Sequence, residues 1–459
     1  MSAPASPDRA YALFEQSRPR SRDAHLIVAD GAYQLFLPQG SRLFGIDAAM
    51  SGAFEADMRM AGATALQQRL SELDLGCVPY IDDTPPEGLK VRALSLAVAQ
   101  SCNLGCSYCY ARGGEFGGAA KAMSPETARK SVDLLLSQVS PGERVNLAFL
   151  GGEPLANRRV LHNATQYAAA QAELKQVPLT FSITTNGTLI GAPDIALFEK
   201  YGFAVTISLD GTQQTHDRLR PFKNGAGSFA RIMANIAPLL AAQRKMQVSA
   251  RVTVTPRNLD LRATLDAFIE LGFHSVGFSP TLSSPDRADE MQHGDLALML
   301  EQMIECGEEF VRRTLAGRRY PFANLINALR EIHKGTHRPY PCGAGAGYFG
   351  VSADGELSAC HRFVDDGSGG MGNLADGVDR ESQSRWLADR HVHRQEPCNG
   401  CWARYLCGGS CYHEAIHRGR PACDYIRGWL HYCLATYGRL SRARPEMFDL
   451  APVSGGRAS

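Results

Sequence analysis

Between residues 92 and 281 the sequence alternates short apolar runs with amphipathic stretches. The apolar runs have the length and the branched or aromatic side chains of buried strands, and the stretches between them have the helical period of about 3.6 residues. Ser124 followed by Pro125 is a typical helix start, because the serine can cap the helix and the proline fits its first turn. The six predicted strands are ALSLAVA, RVNLAFL, LTFSITT, AVTISLD, QVSARVTVT and SVGFSPT.

This repetition of β/α units predicts a parallel sheet, because each helix returns the chain to the end of the sheet where the previous strand began. We therefore predict an α/β fold whose central part is a partial (β/α)6 barrel of the TIM type. In barrels of that type, the residues that carry chemistry follow the carboxyl ends of the strands. The loops after the predicted strands are therefore the places to look for a functional site.

The segments on either side of the barrel differ from it in composition and in the order of predicted strands and helices. The first has two strand-like runs followed by two helices, which predicts a small α+β domain, and the last is rich in Gly and Cys. The predicted segments are an N-terminal domain (1–85), the barrel (90–285), a helical linker (286–340), a Cys-rich iron–sulfur domain (341–440) and a tail (441–459).

Composition narrows the class of protein. The 459 residues include 48 Lys and Arg against 47 Asp and Glu, a balance that does not favour nucleic acid or an anionic membrane as a partner. The N-terminus lacks the basic start and apolar core of an export signal, and no stretch offers the roughly 18 apolar residues that span a bilayer. We therefore expect a cytoplasmic enzyme. Its 13 cysteines are expected to be metal ligands rather than disulfides, since the cytosol keeps thiols reduced.

Cys102, Cys106 and Cys109 follow the first predicted barrel strand directly. Three thiolates on one loop can hold three irons of a four-iron cluster and leave the fourth without a protein ligand. An iron needs such an open position if it is to bind a small molecule. Taken alone, the triplet also fits a zinc site or chance.

The triplet and the motifs at the next strand ends together resemble the radical S-adenosylmethionine (SAM) superfamily. The motifs are CNLGCSYCYA, GGEP, TTNGT, SLDG and RVTVT. The resemblance implies a [4Fe–4S] cluster on Cys102, Cys106 and Cys109, with SAM bound to the open iron. The residues implied to contact SAM are Gly151, Gly152, Glu153, Pro154, Asn186, Ser208, Asp210 and Arg251.

A second group of cysteines lies in the C-terminal region and includes the spacing C-x2-C-x5-C-x3-C, which begins at Cys398. This region resembles the SPASM domain, which binds two auxiliary [4Fe–4S] clusters in radical SAM maturases of ribosomal peptides and proteins. The implied ligands are Cys398, Cys401, Cys407 and Cys423 for an outer cluster, and Cys342, Cys360 and Cys411 for an inner cluster. The inner set lacks a fourth cysteine, which leaves either an open iron or a ligand of another type.

Three cysteines lie outside the implied cluster sets, and zinc is the alternative to iron for the second group. C-x2-C pairs also occur in zinc ribbons. Cys433 lies in a predicted amphipathic helix and is expected to pack there, although it could replace Cys423 as a ligand. Cys77 and Cys306 are expected to be buried thiols.

Auxiliary clusters can take up the electron that is released when a substrate radical is oxidised. We therefore predict a maturase that oxidatively modifies a ribosomally made peptide or protein. The expected product is a cross-link such as a thioether, C–C or C–O bond, and the expected electron donor is a flavodoxin or ferredoxin. The strings PCGAG, ACHRF and CDYIRGWL most resemble the maturases of Cys-rich peptides, including the group that acts on quinohemoprotein amine dehydrogenase.

His361 is the candidate catalytic residue. In sulfatase maturases of this architecture an aspartate that can act as a base follows the second SPASM cysteine, and here that position is His361. A histidine can also accept a proton near neutral pH. A hydrogen bond from His361 to a cluster sulfur explains the residue equally well.

Three alternatives stay open at this point. The chain could be a sulfatase maturase that forms formylglycine. From another class, it could be a zinc-stabilised scaffold without radical chemistry. Residues 25–80 have the outline of an element that binds a leader peptide as an added strand, but they fit equally well as an extension that packs on the barrel.

Overall fold

The computed structural model describes residues 7–59, 64–76, 84, 86 and 88–449. The strands are β1 His25–Ala29, β2 Ala32–Leu37, β3 Arg42–Ile46, β4 Ala93–Gln100, β5 Lys121–Ala122, β6 Val145–Gly151, β7 Leu179–Thr185, β8 Ala204–Ser208, β9 Gln247–Val254, β10 Ser275–Pro280, β11 Tyr348–Val351, β12 Glu356–Ser358, β13 Gly370–Asn373 and β14 Gly377–Val378. The helices are α1 Asp8–Gln16, α2 Ala48–Arg59, α3 Thr64–Glu72, α4 Pro125–Ser137, α5 Arg158–Leu174, α6 Ala192–Tyr201, α7 Gln213–Leu219, α8 Phe229–Ala241, α9 Leu261–Glu270, α10 His293–Leu315, α11 Ala323–His333, α12 Arg380–Arg390, α13 Arg404–Cys407, α14 Tyr412–Arg418 and α15 Cys423–Ala443.

These elements form two compact units, each assembled from segments that are distant in sequence. The first unit contains the described residues of Met1–Pro85, Gln292–Cys342 and Ala388–Gly455. The second contains those of Pro86–Met291 and Gly343–Leu387.

The second unit confirms the predicted partial barrel. Six strands pair in parallel in the order β4-β6-β7-β8-β9-β10, and at least one helix precedes each strand after β4. Within the described chain the sheet stays open, because β10 is an edge and β4 pairs with β11 rather than with β10. The predicted start of α4 is also confirmed, since Thr127 N donates to Ser124 Oγ (2.9 Å).

Side chains alternate between the two faces of the barrel strands, as the two-residue period of a strand requires. Around Gly187, Ile207 of β8 lies beside Ile232 and Ile236 of α8, so the buried residues of β8 pack toward helices. The other face of β8 and β9 carries accessible or half-buried residues, and many of them have hydroxyl groups. One row in register contains Thr184, Thr206, Ser249 and Ser275.

The first strands of the Cys-rich region extend the barrel sheet. β11 pairs in parallel with β4, and β12, β13 and β14 continue antiparallel from it. Gln100, at the end of β4, fastens this extension: its side-chain oxygen accepts from Ala353 N (2.7 Å) and its Nε2 donates to Asp365 (2.6 Å). The segment predicted as 341–440 is thus divided between the two units, because the edge of β4 offers unpaired backbone groups that β11 satisfies.

The first unit contains an antiparallel sheet, β1-β2-β3, with the predicted helices α2 and α3 packed on it. Its apolar core contains Leu35, Leu37, Phe54, Leu66 and Leu70. Sequence reasoning missed β3 and α1. The string of β3, RLFGI, has little strand-like alternation, and its pairing with β2 is what makes it a strand.

Helices α1, α10 and α15 pack together in the first unit, and glycines allow two of them to approach closely. A Cβ on Gly307 of α10 would overlap Tyr432 of α15, and one on Gly428 of α15 would lie too close to Leu300 of α10. Cys306 is fully buried, as expected, whereas Cys77 lies outside the described residues. None of the described helices is both long and apolar enough to cross a membrane.

A buried pair of imidazoles joins β1 to α15. His25 Nε2 lies 2.9 Å from His431 Nδ1, and the His25 ring stacks on Trp402 with centroids 3.8 Å apart. Burial lowers the pKa of His431 to about 4, and burial together with the charges of His431 and Arg20 holds the pKa of His25 well below its usual value. Both rings are therefore neutral in the folded unit at neutral pH.

We expect the stability of this unit to fall in acid. In the unfolded chain each imidazole has a pKa of about 6.5, so lowering the pH from about 6.5 toward 4 protonates the unfolded form first. The loss for His431 alone is about 3 kcal/mol. The free energy of urea unfolding, measured between about pH 7 and pH 5, should fall less steeply in His431→Gln than in the wild type. The exposed-histidine control His293→Gln should keep the wild-type slope, and equal slopes for all three proteins would contradict the assignment.

Candidate metal centre and active site

The loop with the first three cysteines follows β4 and is held on one side by the chain after α7. Gly105 N donates to Pro221 O (2.8 Å), and Lys223 N donates to Asn103 O (3.1 Å). These backbone hydrogen bonds run across the loop like the rungs of a short antiparallel ladder. The loop is therefore positioned by a segment more than a hundred residues away in the chain.

A second side of the loop rests on the end of β6. Gly152 N donates to Ala99 O (2.8 Å) and Glu153 N donates to Ser101 O (2.9 Å). Gly151 has a φ of 148°, and a Cβ on Gly151 or Gly152 would overlap the backbone of Ala99 or Ser101. The predicted SAM contacts Gly151 and Gly152 are thus required as glycines by the docking of the cysteine loop itself.

Asn186, another predicted SAM contact, holds the loop on a third side. Its Nδ2 donates to Asn103 Oδ1 (2.9 Å) and lies 3.7 Å from Cys102 Sγ. Asn103 Nδ2 in turn donates to Thr188 Oγ1 (2.8 Å). The side chain of Asn186 therefore contacts Cys102, a predicted cluster ligand, directly.

The carboxylate of Glu153 is fully buried and braces the ends of β6 and β7. It accepts from Thr185 Oγ1 (2.7 Å), Asn186 N (2.8 Å) and Leu155 N (3.0 Å). Pro154 begins the single helical turn that follows. The structure thus gives the Glu153 side chain a bracing role, and contacts from Glu153 and Pro154 to SAM stay predictions.

Two of the sulfur atoms on the loop, those of Cys102 and Cys106, are poor thiolates without a metal. Burial raises the pKa of Cys102 and raises that of Cys106 to about 12. Thiolates at such a site need a compensating cation, which bound metal supplies. Three cysteines on one braced loop, with only three sulfur donors, therefore fit the predicted cluster with one open iron.

Asp210 belongs to a network of hydrogen bonds and an ion pair that contacts the cysteine loop through Tyr108. Sequence reasoning did not predict this network. Its carboxylate accepts from the Tyr108 hydroxyl and from Thr253 N (2.9 Å), and it lies 3.8 Å from a guanidinium nitrogen of Arg220. Arg220 also donates to the Tyr108 hydroxyl (2.5 Å). Because these partners occupy Asp210, its predicted contact with SAM stays a prediction and its observed role is to hold Tyr108 and Arg220.

Ser208 and Arg251 lie in register on β8 and β9. Ser208 follows the helix-facing Ile207 and is half-buried, and Arg251 is exposed and donates to Ser279 Oγ (2.7 Å). Their side chains therefore project from the accessible face of the sheet. Of the predicted SAM contacts, these two have the side chains most open to a ligand.

Four cysteines of the predicted outer set face one cavity in the first unit. Its lining also includes Arg420 and Arg427. Ala403 N donates to the sulfur of Cys401 (3.4 Å), and burial raises the pKa of Cys398 to about 12. The cysteines are Cys398, Cys401, Cys407 and Cys423. Four sulfur donors, backbone N–H groups and two cations fit an anionic cluster whose four irons are all ligated by protein.

The structure separates Cys423 from Cys433. Cys423, the first residue of α15, lines the cavity, whereas Cys433 is fully buried further along the same helix and is absent from that lining. Among the described residues Cys423 is therefore the fourth sulfur at this site. For the inner set, Cys342 and Cys411 belong to the first unit and Cys360 to the second, and its assignment as a cluster stays a prediction.

His361 lies beside the cysteine loop within the second unit. Its Nδ1 is 2.7 Å from the Tyr348 hydroxyl, and its ring packs edge-on against Tyr110, the residue after Cys109. Burial, with the charges of Arg362 and Arg251, lowers the pKa of His361 to about 4. Its role as a base stays a prediction, but the structure places its ring next to the loop that holds the first three cysteines.

The functional residues missed by sequence reasoning are Asn103, Tyr108 and Arg220. Asn103 and Tyr108 lie within the cysteine spacing, so their position was a signal that could have been used. Arg220 lies ten residues after Asp210, and no local pattern connects it to the cysteines. Only the return of the chain after α7 brings Arg220 to the loop.

Comparison with known proteins agrees with this arrangement. Residues 96–268 match the model of the Radical SAM superfamily. The chain is 24% identical over 338 residues to the serine-type anaerobic sulfatase-maturating enzyme of Klebsiella aerogenes, covering 71% of this chain and 81% of that protein. It is 22% identical over 364 residues to the radical SAM cyclopropyl synthase TigE of Paramaledivibacter caminithermalis, covering 74% and 73%.

Among solved structures, native anSMEcpe with bound AdoMet superimposes with a TM-score of 0.65. The sequence identity is 19%, and the match covers 78% of this chain and all of that chain. At this identity the likeness concerns the fold.

The fourth sulfur of the outer site can be tested by metal content. The predicted total is about twelve irons per chain after anaerobic reconstitution, since each cluster holds four. Cys423→Ala should lose about four of them, because Cys423 faces the cavity. Cys433→Ala is the matched control in the same helix and should keep the full content. Iron loss in Cys433→Ala with full iron in Cys423→Ala would reverse the assignment.

Proposed function

Because this chain is a radical SAM protein with a SPASM-type Cys-rich region, we propose that it oxidatively cross-links a ribosomally made peptide or protein. Its cofactors are a [4Fe–4S] cluster and SAM. When bound, they supply a 5′-deoxyadenosyl radical that removes a hydrogen atom from the substrate. What distinguishes one enzyme of this kind from another is the fate of the substrate radical.

The observation that carries the proposal is the cavity with four cysteines in the first unit. A cluster with four protein ligands has no open iron, so it is suited to electron exchange rather than to binding SAM. An electron acceptor of this class is what an oxidative modification requires in addition to the radical source. The cavity therefore supports oxidation over a redox-neutral rearrangement.

The proposed reaction balances as a two-electron oxidation of the substrate. A C–H bond is broken when a hydrogen atom leaves, and a new bond forms between that carbon and a second side chain of the substrate, such as a Cys thiol. The second group loses its proton, and one electron leaves for an iron–sulfur acceptor. The substrate thus loses two hydrogens in all, and its other atoms are kept.

His361 is proposed to take the proton of the second group. Its ring lies beside Tyr110 at the cysteine loop, and Tyr348 engages Nδ1. When Nδ1–H donates to the Tyr348 oxygen, Nε2 is the nitrogen that can accept a proton. The position of the His361 ring beside the cysteine loop supports this role, and the hydroxyl of Tyr348 sets the orientation of the ring.

A sulfatase maturase is the second candidate function. It is supported by the sulfatase-maturating enzyme among the relatives, with 81% of that protein covered. His361 stands where those enzymes are expected to have an aspartate, which favours the cross-linking proposal.

The N-terminal sheet is proposed to contribute to substrate binding. In the described chain β3 is at the edge of the sheet, and an edge strand can accept an added strand of a peptide. The cross-linking proposal rests on the cysteine sites and does not depend on this role of the sheet.

The radical source is tested by removing its ligands. A Cys102→Ala, Cys106→Ala, Cys109→Ala variant should release no 5′-deoxyadenosine on reduction with SAM, because no open iron is formed. It should retain about eight irons, which serves as the folding control. Release at the wild-type rate would show that these three cysteines do not hold the reactive cluster.

The product distinguishes the two candidate functions. A set of short Cys-rich peptides and a sulfatase peptide are incubated with enzyme, SAM and reductant and analysed by mass spectrometry. We expect loss of a pair of hydrogens from a Cys-rich peptide without reactivity toward a hydrazide. A hydrazide-reactive aldehyde in the sulfatase peptide would instead support formylglycine formation.

The role of His361 is tested in the same assay. His361→Ala should lower the yield of modified peptide at least about tenfold, an effect within the range of a lost general base, while 5′-deoxyadenosine is still released. His361→Asp restores a proton acceptor and should recover part of the yield. Full product formation by His361→Ala would contradict the assignment.

A further inference from the structure

A buried cation, the guanidinium of Arg220, contacts the cysteine loop. Arg220 is 7% exposed, donates to the hydroxyl of Tyr108 (2.5 Å) and forms an ion pair with Asp210 (3.8 Å). Tyr108 lies between Cys106 and Cys109 in the sequence. The arginine is therefore attached to the metal-binding loop through one of the loop's own side chains.

The position of Arg220 is fixed by its backbone as well as its side chain. Arg220 N donates to His216 O (2.7 Å), and Arg220 O accepts from Ser228 Oγ (2.6 Å), which lies 3.0 Å from His216 Nε2. The next residue, Pro221, accepts the hydrogen bond from Gly105 of the cysteine loop. A flexible surface arginine would not have these restraints, so the cation is held at a defined place.

One donor of this buried guanidinium has no acceptor in the protein. Within the described residues nothing accepts a hydrogen bond from Nε of Arg220, although this atom is shielded from solvent. An unsatisfied buried donor of a charged group is costly. Such a donor is explained if an acceptor arrives when the site is loaded, and the sulfur atoms of a cluster are acceptors of this kind.

The charge of Arg220 acts most strongly on Cys106. Burial alone would lower the pKa of Arg220, but Cys106, Tyr108 and Asp210 raise it well above its usual value. Conversely, Arg220 opposes the burial that raises the pKa of Cys106, whereas Asp210 has a smaller effect of opposite sign. The ion pair with Asp210 and the hydrogen bond to Tyr108 keep the arginine charged at this place.

We propose that Arg220 is a positioning residue that raises the reduction potential of the [4Fe–4S] cluster on Cys102, Cys106 and Cys109, with Asp210 as the counter-charge that limits this effect. Reduction adds one electron to the cluster, and a fixed positive charge stabilises the more negative form. The carboxylate of Asp210, which accepts from the same Tyr108 hydroxyl, carries the opposite charge and acts in the opposite direction. The pair therefore sets the potential at which the cluster can be reduced.

The two charges predict shifts of opposite sign. Arg220→Gln removes the cation and should make the midpoint potential more negative. Asp210→Asn keeps the shape of the side chain but removes the anion, and should make the potential less negative. A purely structural loosening of the loop would not produce opposite shifts from two partners of one ion pair.

The experiment is a redox titration of the full-length reconstituted protein, followed by electron paramagnetic resonance and carried out without SAM. The signal of this cluster is identified in a parallel sample as the one that changes when SAM is added. For Arg220→Gln we expect at least a tenfold drop in the ratio of reduced to oxidised cluster at a fixed potential, equal to about 59 mV for one electron. Omitting SAM keeps any change in SAM affinity out of the measurement.

Two further variants make the test independent of folding. Arg220→Lys keeps the charge and should stay near the wild-type potential. Arg218→Gln removes a more exposed arginine whose side chain bonds to Arg257 O (2.7 Å), and should leave the potential unchanged. If Arg220→Gln does not assemble the cluster, Asp210→Asn and Arg220→Lys decide the question.

An unchanged potential in Arg220→Gln with full iron content would overturn the proposal, and so would shifts of the same sign in Arg220→Gln and Asp210→Asn. The measurement uses no peptide. Its result is therefore separate from the proposed cross-linking function, which could fail while the effect on the potential is confirmed.

Discussion

The rest of the site depends on how the cysteine loop is clamped to the barrel. The chain after α7 holds one side through Gly105 and Lys223, the glycines at the end of β6 hold another, and Asn186 holds the third. Each contact comes from a different strand end or helix end of the parallel sheet. Because the loop itself has no regular secondary structure around its cysteines, these tertiary contacts are what hold the three cysteines in position.

Two buried carboxylates, those of Glu153 and Asp210, stabilise the surroundings of the cysteine loop in different ways. Glu153 is satisfied by a hydroxyl and two backbone N–H groups, so it ties neighbouring strand ends together without a cation. Asp210 is paired with Arg220 and therefore also determines the charge near the metal site. Residues that the superfamily resemblance assigns to ligand binding thus have structural tasks that precede any ligand.

The division into two units reflects where unsatisfied edges and apolar faces find partners. β11 joins β4 because that edge of the parallel sheet offers unpaired backbone groups. Helices α1, α10 and α15 meet in the other unit through small residues such as Gly307 and Gly428. The Cys-rich region therefore contributes His361 to the barrel unit and the four-cysteine cavity to the other.

Local pattern in the sequence was sufficient for the six barrel strands, the cap at Ser124 and the grouping of the cysteines by spacing, because these features depend on residues that are near one another in the chain. It was insufficient for β3, for the choice of Cys423 over Cys433 at the cavity, and for Arg220, because each depends on which distant segment the folded chain places alongside. Spacing determines which atoms can bind a metal. The charges and hydrogen bonds that surround those atoms come from residues far away in sequence, and only the tertiary structure brings them together.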